Sequence, residues 1–170
     1  MDRNQKTYTI LGIDPGTRIT GYGIISTDLS SFHSLDYGAI CPPPKLPLFK
    51  RQLIIYESIS HLLDIHSIDA IAIESQYVSK NPQSALKLGM AKGVTVLAGT
   101  KRGIPVFEYA PTQAKNAVVG TGKATKEQVG RMIQALLHLS ELPHPEDASD
   151  ALALAICHAN NLKPQGASYA

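Results

Sequence analysis

Four carboxylates stand where acidic side chains could do chemistry. Asp14 follows the apolar run ILGI, Glu74 follows AIAI, and Asp147 and Asp150 open the apolar segment DASDALALAICH. Ligands and catalytic groups in α/β sheets gather at strand ends, so two strand-end acids can lie side by side. The i, i+3 spacing of Asp147 and Asp150 puts both on one helix face, ~5–6 Å apart. Clustered carboxylates repel one another unless cations neutralise them. Oxygen donors with no Cys or His beside them suit Mg²⁺ or Mn²⁺ rather than zinc. Two such ions, about 3.5–4 Å apart, serve in-line displacement at a phosphodiester. Each acid also has an ordinary reading. Asp14-Pro15-Gly16 is turn chemistry, Glu74 ends a strand at water, and Asp147 with Asp150 fits an N-cap and N3 pair. Ser75 and Ser149 neighbour the acids, but no His is placed to activate either, and His144 reads as a solvated loop histidine.

The elements that must position these acids follow from pattern. YTILGI, TGYGIIS and LDYGAI predict three strands in an antiparallel meander, and the Pro-rich CPPPKLP a loop. Apolar residues recur at helical spacing from about Leu46 to His66, and IDAIAIES is a short buried strand. Asn81 and Pro82 predict the N-cap and first position of a helix that runs to about Arg102 and stops at Gly103. IPVFEYA is a strand. Helices follow from Pro111 to the Gly120-Thr121-Gly122 turn, from about Thr125 to Leu139, and through DASDALALAICHANN. Strands followed by alternating strand and helix predict an α/β fold, a mixed sheet with helices on both faces. Residues 1–162 are expected to form one domain, and 163–170 a flexible tail.

Composition narrows the function. The chain has 170 residues, 44% hydrophobic and 18% charged, which is globular composition. No apolar run is long enough to span a membrane, and the polar MDRNQKTYT carries no secretory signal. Cys41 and Cys157 match no metal spacing and read as free thiols of a reducing cytoplasm. There is no CxxC, HExxH or P-loop. The net charge is only +2, yet nine of the sixteen Lys and Arg lie between residues 75 and 131, against two acids, Glu108 and Glu127. That block is basic enough to meet a polyanion.

Within it, Lys115, Lys123 and Lys126 flank the Gly-rich turn, as a phosphate clamp or as a solvated helix pair. Tyr77, in the polar loop SQYVSKN after Glu74, is a candidate stacking platform for an unpaired base, or a ring folded onto the core. Ala85, Gly89, Gly93 and Leu97 form a stripe at spacing four, suited to close helix approach at a dimer seam or on the chain's own sheet.

The strings LGIDPGTRITGYG, AIES, NPQSALKLGMAKGV, VFEYAPTQAKNAVVGTGKATKEQV and DASDALALAICH resemble, in order and spacing, the RuvC family of bacterial Holliday-junction resolvases. The resemblance covers roughly residues 8 to 160. It implies a ribonuclease-H-like mixed sheet, three antiparallel strands followed by two parallel ones. It implies a homodimer that nicks two opposed strands of a four-way DNA junction with two Mg²⁺ ions per subunit, or Mn²⁺ in their place, leaving 5′-phosphate and 3′-hydroxyl ends. The family's catalytic, metal-binding acids fall on Asp14, Glu74, Asp147 and Asp150, with Asp14 bridging both ions. Its DNA-binding lysines fall on Lys115 and Lys126, with Lys123 a weaker match. The family often has Phe at Tyr77, linked to the opened junction, and a dimer seam along the helix of Ala85, Gly89 and Gly93. Its members act alongside the RuvA–RuvB branch-migration complex. Two other readings compete: a fragment of an actin-like ATPase, whose phosphate loop GIDPGTRITGYG also resembles, and a junction-binding protein without catalysis.

Overall fold

The computed structural model describes residues 6–75 and 81–162. Five strands form one sheet: β1 (Tyr8–Asp14), β2 (Thr20–Thr27), β3 (Phe32–Ile40), β4 (Ala70–Glu74) and β5 (Val106–Tyr109), in the order β3-β2-β1-β4-β5. The β1–β2 and β2–β3 pairs are antiparallel, and the β1–β4 and β4–β5 pairs are parallel. Five helices flank it: α1 (Leu48–Ile65), α2 (Pro82–Thr100), α3 (Pro111–Val119), α4 (Lys126–Leu136) and α5 (Glu146–Leu162). The meander, the parallel pair and the helix on each face agree with the pattern above.

The inner strands are apolar without alternation because both faces are covered. Leu11, Ile13, Ile24, Ile71 and Ile73 pack with Ile55, Ile59 and Leu62 of α1 and Ala98 of α2. Ile10, Ile25 and Ala72 point the other way, into a core with Val118 of α3, Ile133 of α4 and Leu152 and Ile156 of α5. Each fully buried Ile or Leu contributes roughly 1.5–3 kcal/mol.

Glycines in β1 and β2 decide where α5 sits. Gly12 and Gly23 are cross-strand partners, and Gly21 pairs with Asp14. A Cβ on Gly12 would lie 1.9 Å from the Ala151 carbonyl oxygen, and one on Gly21 would lie 2.0 Å from that of Asp147. Bare backbone on the sheet thus meets backbone on the helix. Alanines at 148, 151, 155 and 159 of α5 are fully buried, which permits the same close approach from the other side.

Local signals hold elsewhere. The Asn81 side chain accepts from the amides of Gln83 and Ser84, capping α2, and Gly103 leaves it with φ +70°. Gly120 closes α3 with φ 81°. Two expectations need correction. Helix α4 stops at Leu136 rather than Leu139, where His138 turns to φ 53° and the Leu139 amide bonds the Gln134 carbonyl. Asp147 is not the N-cap of the last helix. Glu146 is already helical, so Asp147 is its second residue and Asp150 its fifth. The capping account of these acids therefore fails, and Asp150 bonds a lysine instead of a backbone amide.

Candidate active site

Parallel pairing brings two of the acids together. Ile13 of β1 is in register with Ile73 of β4, so the residues that follow, Asp14 and Glu74, end adjacent strands side by side. The glycine seat lays the first turns of α5 across that end of the sheet and adds Asp147 and Asp150. Asp14, Glu74 and Asp150 line a cleft of about 290 Å³ together with Lys115 of α3 and Lys126 of α4. Asp147 is not among the residues lining this cleft; it lines a second one, and its charge acts on Asp14 and Asp150.

The electrostatics record the convergence. Burial, then the charges of Glu74, Asp150 and Asp147, push the Asp14 carboxyl up to about 7. Burial also raises Glu74, with Asp150 adding to it and Lys126 and Lys115 opposing. Burial raises Asp150, against the pull of Lys126. The Lys126 ammonium lies 2.9 Å from Glu146 Oε1 and 3.4 Å from Asp150 Oδ2. A capping box fixes the start of α4 and hence this lysine. Thr125 Oγ1 accepts from the Gln128 amide at 3.2 Å, and Gln128 Oε1 accepts from the Thr125 amide at 2.8 Å. Among the described residues no three Asp, Glu, His or Cys side chains are placed to hold a metal ion together; Asp14, Glu74 and Asp150 share the lining of one cleft. The donor set is all carboxylate, four like charges that Lys126 and Lys115 only partly offset, and this fits hard divalent cations.

Asp14 makes the metal-free protein pH-sensitive. Its folded-state pKa of about 7 lies above the ordinary 3.8. Between those values the native state holds a proton that the unfolded state has released, so stability falls as pH rises through the window. Above it the full penalty is present. We expect the melting temperature in EDTA to drop from pH 5 to pH 8, and Asp14→Asn to remove most of the drop. Parallel melting curves for both proteins that fall equally would contradict this.

The remaining candidates fall as follows. Lys123 is exposed in the α3–α4 turn, away from the cleft-lining residues. Tyr77 lies outside the described residues. Within the basic block, Lys92, Arg102, Lys126 and Arg131 are paired with acids. Neither Ser75 nor Ser149 has a histidine partner among the described residues; the Ser149 hydroxyl is buried and unbonded. His144 is exposed, beside Glu146 in a neighbouring cleft. On α2, a Cβ at Gly89 or Gly93 would meet nothing within 4 Å, so this stripe does not pack on the chain's own sheet. The sequence reading missed Glu146, the second partner of Lys126, because it looks like one more first-turn acid. It also missed Arg18, Arg51 and Lys87, which surround the second cleft.

The sequence pattern of one family, crossover junction endodeoxyribonuclease RuvC, matches residues 10–158. The chain belongs to the RuvC family. A RuvC of Protochlamydia amoebophila (strain UWE25) is 57% identical over 150 residues, 88% of this chain and 89% of the relative. One of Geotalea uraniireducens (strain Rf4) is 50% identical over 152 residues, 89% of this chain and 88% of the relative. The solved structure of T. thermophilus RuvC in complex with Holliday junction substrate superposes with a TM-score of 0.85 at 33% identity, covering 91% of this chain and 94% of that one. The mixed sheet is thus the ribonuclease-H-like fold of RuvC.

Proposed function

We propose that this chain is a Holliday-junction-resolving endonuclease, which cuts two opposed strands of a four-way DNA junction in recombination and repair. The observation that carries the reading is the convergence of Asp14, Glu74, Asp147 and Asp150, three of which raise the pKa of the fourth. Family membership supports the substrate. Asp14, Glu74, Asp147 and Asp150 would hold two Mg²⁺ ions, with Mn²⁺ as substitute. When bound, the ions lower the pKa of the attacking water and stabilise the leaving 3′ oxygen. The half-buried strand-end acids supply a frame fixed by the paired strands for in-line attack. Lys115 and Lys126 line the same cleft as the acids and would bind the phosphates beside the scissile bond, with Lys123 and the ring of Tyr77 as outer contacts. Hydrolysis leaves a 5′-phosphate and a ligatable 3′-hydroxyl, with no side-chain nucleophile.

A substrate with two equivalent strands suits a twofold dimer. We assign the seam to α2, where Ala85, Gly89 and Gly93 lie among Leu86, Met90 and Leu97, which are 67%, 39% and 59% exposed. Gly93→Leu adds bulk where two backbones would meet. We expect it to shift the dimer to monomer at micromolar concentration by light scattering, with an unchanged melting curve for the monomer fold. An unmodified chain that is already monomeric would end the dimer reading. The RuvA–RuvB branch-migration complex is the expected partner, and the cytoplasm the expected location.

One assay tests the function itself. The protein should nick a synthetic four-way junction in Mg²⁺ at symmetric positions, leave it whole in EDTA, and spare the matching linear duplex. Junction binding without cleavage in Mg²⁺ would make it a binding protein, and no binding would remove the substrate.

A further inference from the structure

We propose that the second cleft, on the far side of Asp147, is a phosphate site that holds a DNA phosphodiester flanking the scissile one. The proposal rests on the junction-nuclease reading and adds Arg18, Arg51 and Lys87 to the residues that hold the strand. The cleft measures about 590 Å³ and runs between the β1–β2 turn, the start of α1 and the first turns of α2.

The cleft is built rather than incidental. Its floor is a turn locked on itself: Thr20 Oγ1 donates to the Gly16 carbonyl at 2.7 Å and accepts from the Gly16 amide at 3.2 Å. A Cβ on Gly16 would fall 2.1 Å from the Ile19 carbonyl oxygen, so the turn closes only with glycine. Arg51 reaches onto this floor from α1. Its Nη1 donates to the Thr17 carbonyl at 3.2 Å, while its Nε is buried with no acceptor among the described residues. A guanidinium has five N–H donors, and a buried charged donor left unbonded is unfavourable. Arg18 of the turn and Lys87 of α2 form no ion pair among the described residues. Three cations therefore face one cleft. The one acid among its described lining residues is Asp147, which belongs to the catalytic group.

This chemistry recognises a phosphate. A planar guanidinium matches phosphate oxygens two at a time, and a lysine adds a point charge. Asp147 links this cleft to the acids: it lines the Arg51 cleft, and its charge acts on Asp14 and Asp150, which line the cleft of Lys115 and Lys126. A strand whose scissile phosphate meets the acids thus extends over lysines on one side and over the Arg51 cleft on the other. Gripping both flanks fixes the reacting phosphate along the strand direction, which charge on one side alone does not.

The test uses the full chain and a four-way junction in EDTA, with binding followed by fluorescence anisotropy across a salt series. Arg18→Ala with Lys87→Ala removes two surface cations and should leave the melting temperature unchanged. The salt slope of binding should fall by about 1.8, at ~0.9 per lost contact. A neutral methylphosphonate is then placed at each linkage beside the scissile one. One of these positions should weaken binding by the wild type and have a clearly smaller effect on the double variant, which keeps only Arg51 in the cleft. Arg51→Gln should behave alike, with Arg51→Lys between it and wild type; since Arg51 also holds the turn, the surface pair is the deciding variant. An unchanged slope, or a methylphosphonate effect equal in both proteins, overturns the proposal. So does loss of ATP binding by the double variant with its junction slope intact, which would make the cleft a nucleotide site. Wild-type protein that cleaves junctions while the slope stays unchanged removes the cleft alone. Wild-type protein that neither binds nor cleaves them removes the function as well.

Discussion

Asp14→Asn should abolish junction cleavage and leave junction binding intact or tighter. Asn keeps the shape of the side chain at the end of β1 but supplies an amide, a poorer ligand for a hard cation than a carboxylate. Each contribution lost with a properly held ion is worth several kcal/mol of barrier. At 1.36 kcal/mol per tenfold, the rate falls by about 10³-fold or more. Binding moves the other way because in EDTA the cleft is a cluster of like charges. Burial and three neighbouring carboxylates raise Asp14 to about 7, so near that pH it is only about half ionised, and removing its charge relieves repulsion against incoming phosphates most clearly above it. Asp150→Asn should do the same, with one difference. It also takes away one of the two acids that hold Lys126, so more of that ammonium is available to DNA. Single-turnover cleavage in Mg²⁺ and gel shifts in EDTA give both numbers. Normal cleavage by the Asp14→Asn protein would overturn the nuclease assignment. Normal cleavage by the Asp150→Asn protein would remove only that residue from the site.

Gly21→Ala should cost both stability and cleavage, although Gly21 touches no substrate. The added Cβ would lie 2.0 Å from the carbonyl oxygen of Asp147. Both sides of that contact are backbone, so no rotamer change relieves it, and the first turn of α5 must lift from the sheet. Overpacking in a core costs about 1–3 kcal/mol and sometimes more. At the upper figure the melting temperature of a chain this size falls by roughly 6–12 °C. The lift carries Asp147 and Asp150 away from Asp14 and Glu74. Gly103→Ala is the control. It strains a left-handed residue at φ +70°, where a Cβ meets nothing within 4 Å, far from the acids in the fold. It should lower the melting temperature modestly while cleavage survives. If Gly21→Ala cleaves as well as Gly103→Ala at matched stability, the seat of α5 does not control the site.

What could be read from the sequence was what local rules govern. The inner strands are short apolar runs with acids at their ends, and Asn81-Pro82, Gly103 and Gly120 punctuate helices through their own backbone preferences. The acids of β1, β4 and α5 were legible as a group because each sits at an element boundary. Contacts made at long range were not. Arg51 lies in the amphipathic helix α1 and reads as a solvated cation; only the fold brings it against Thr17. Lys126 and Glu146 are twenty residues apart in different helices, and nothing local pairs them. The capping pattern at Asp147 misled for the converse reason. A real local motif was present, but helix α5 begins one residue earlier because its position is set by the glycine seat.

The four acids come from opposite ends of the chain: Asp14 and Glu74 from its first half, Asp147 and Asp150 from its last helix. All five strands precede α5 in the chain, so a sheet without that helix carries only two of the four carboxylates. A product truncated before Glu146 keeps much of the basic block and none of the α5 acids. The four carboxylates therefore come together only once α5 has settled onto the sheet.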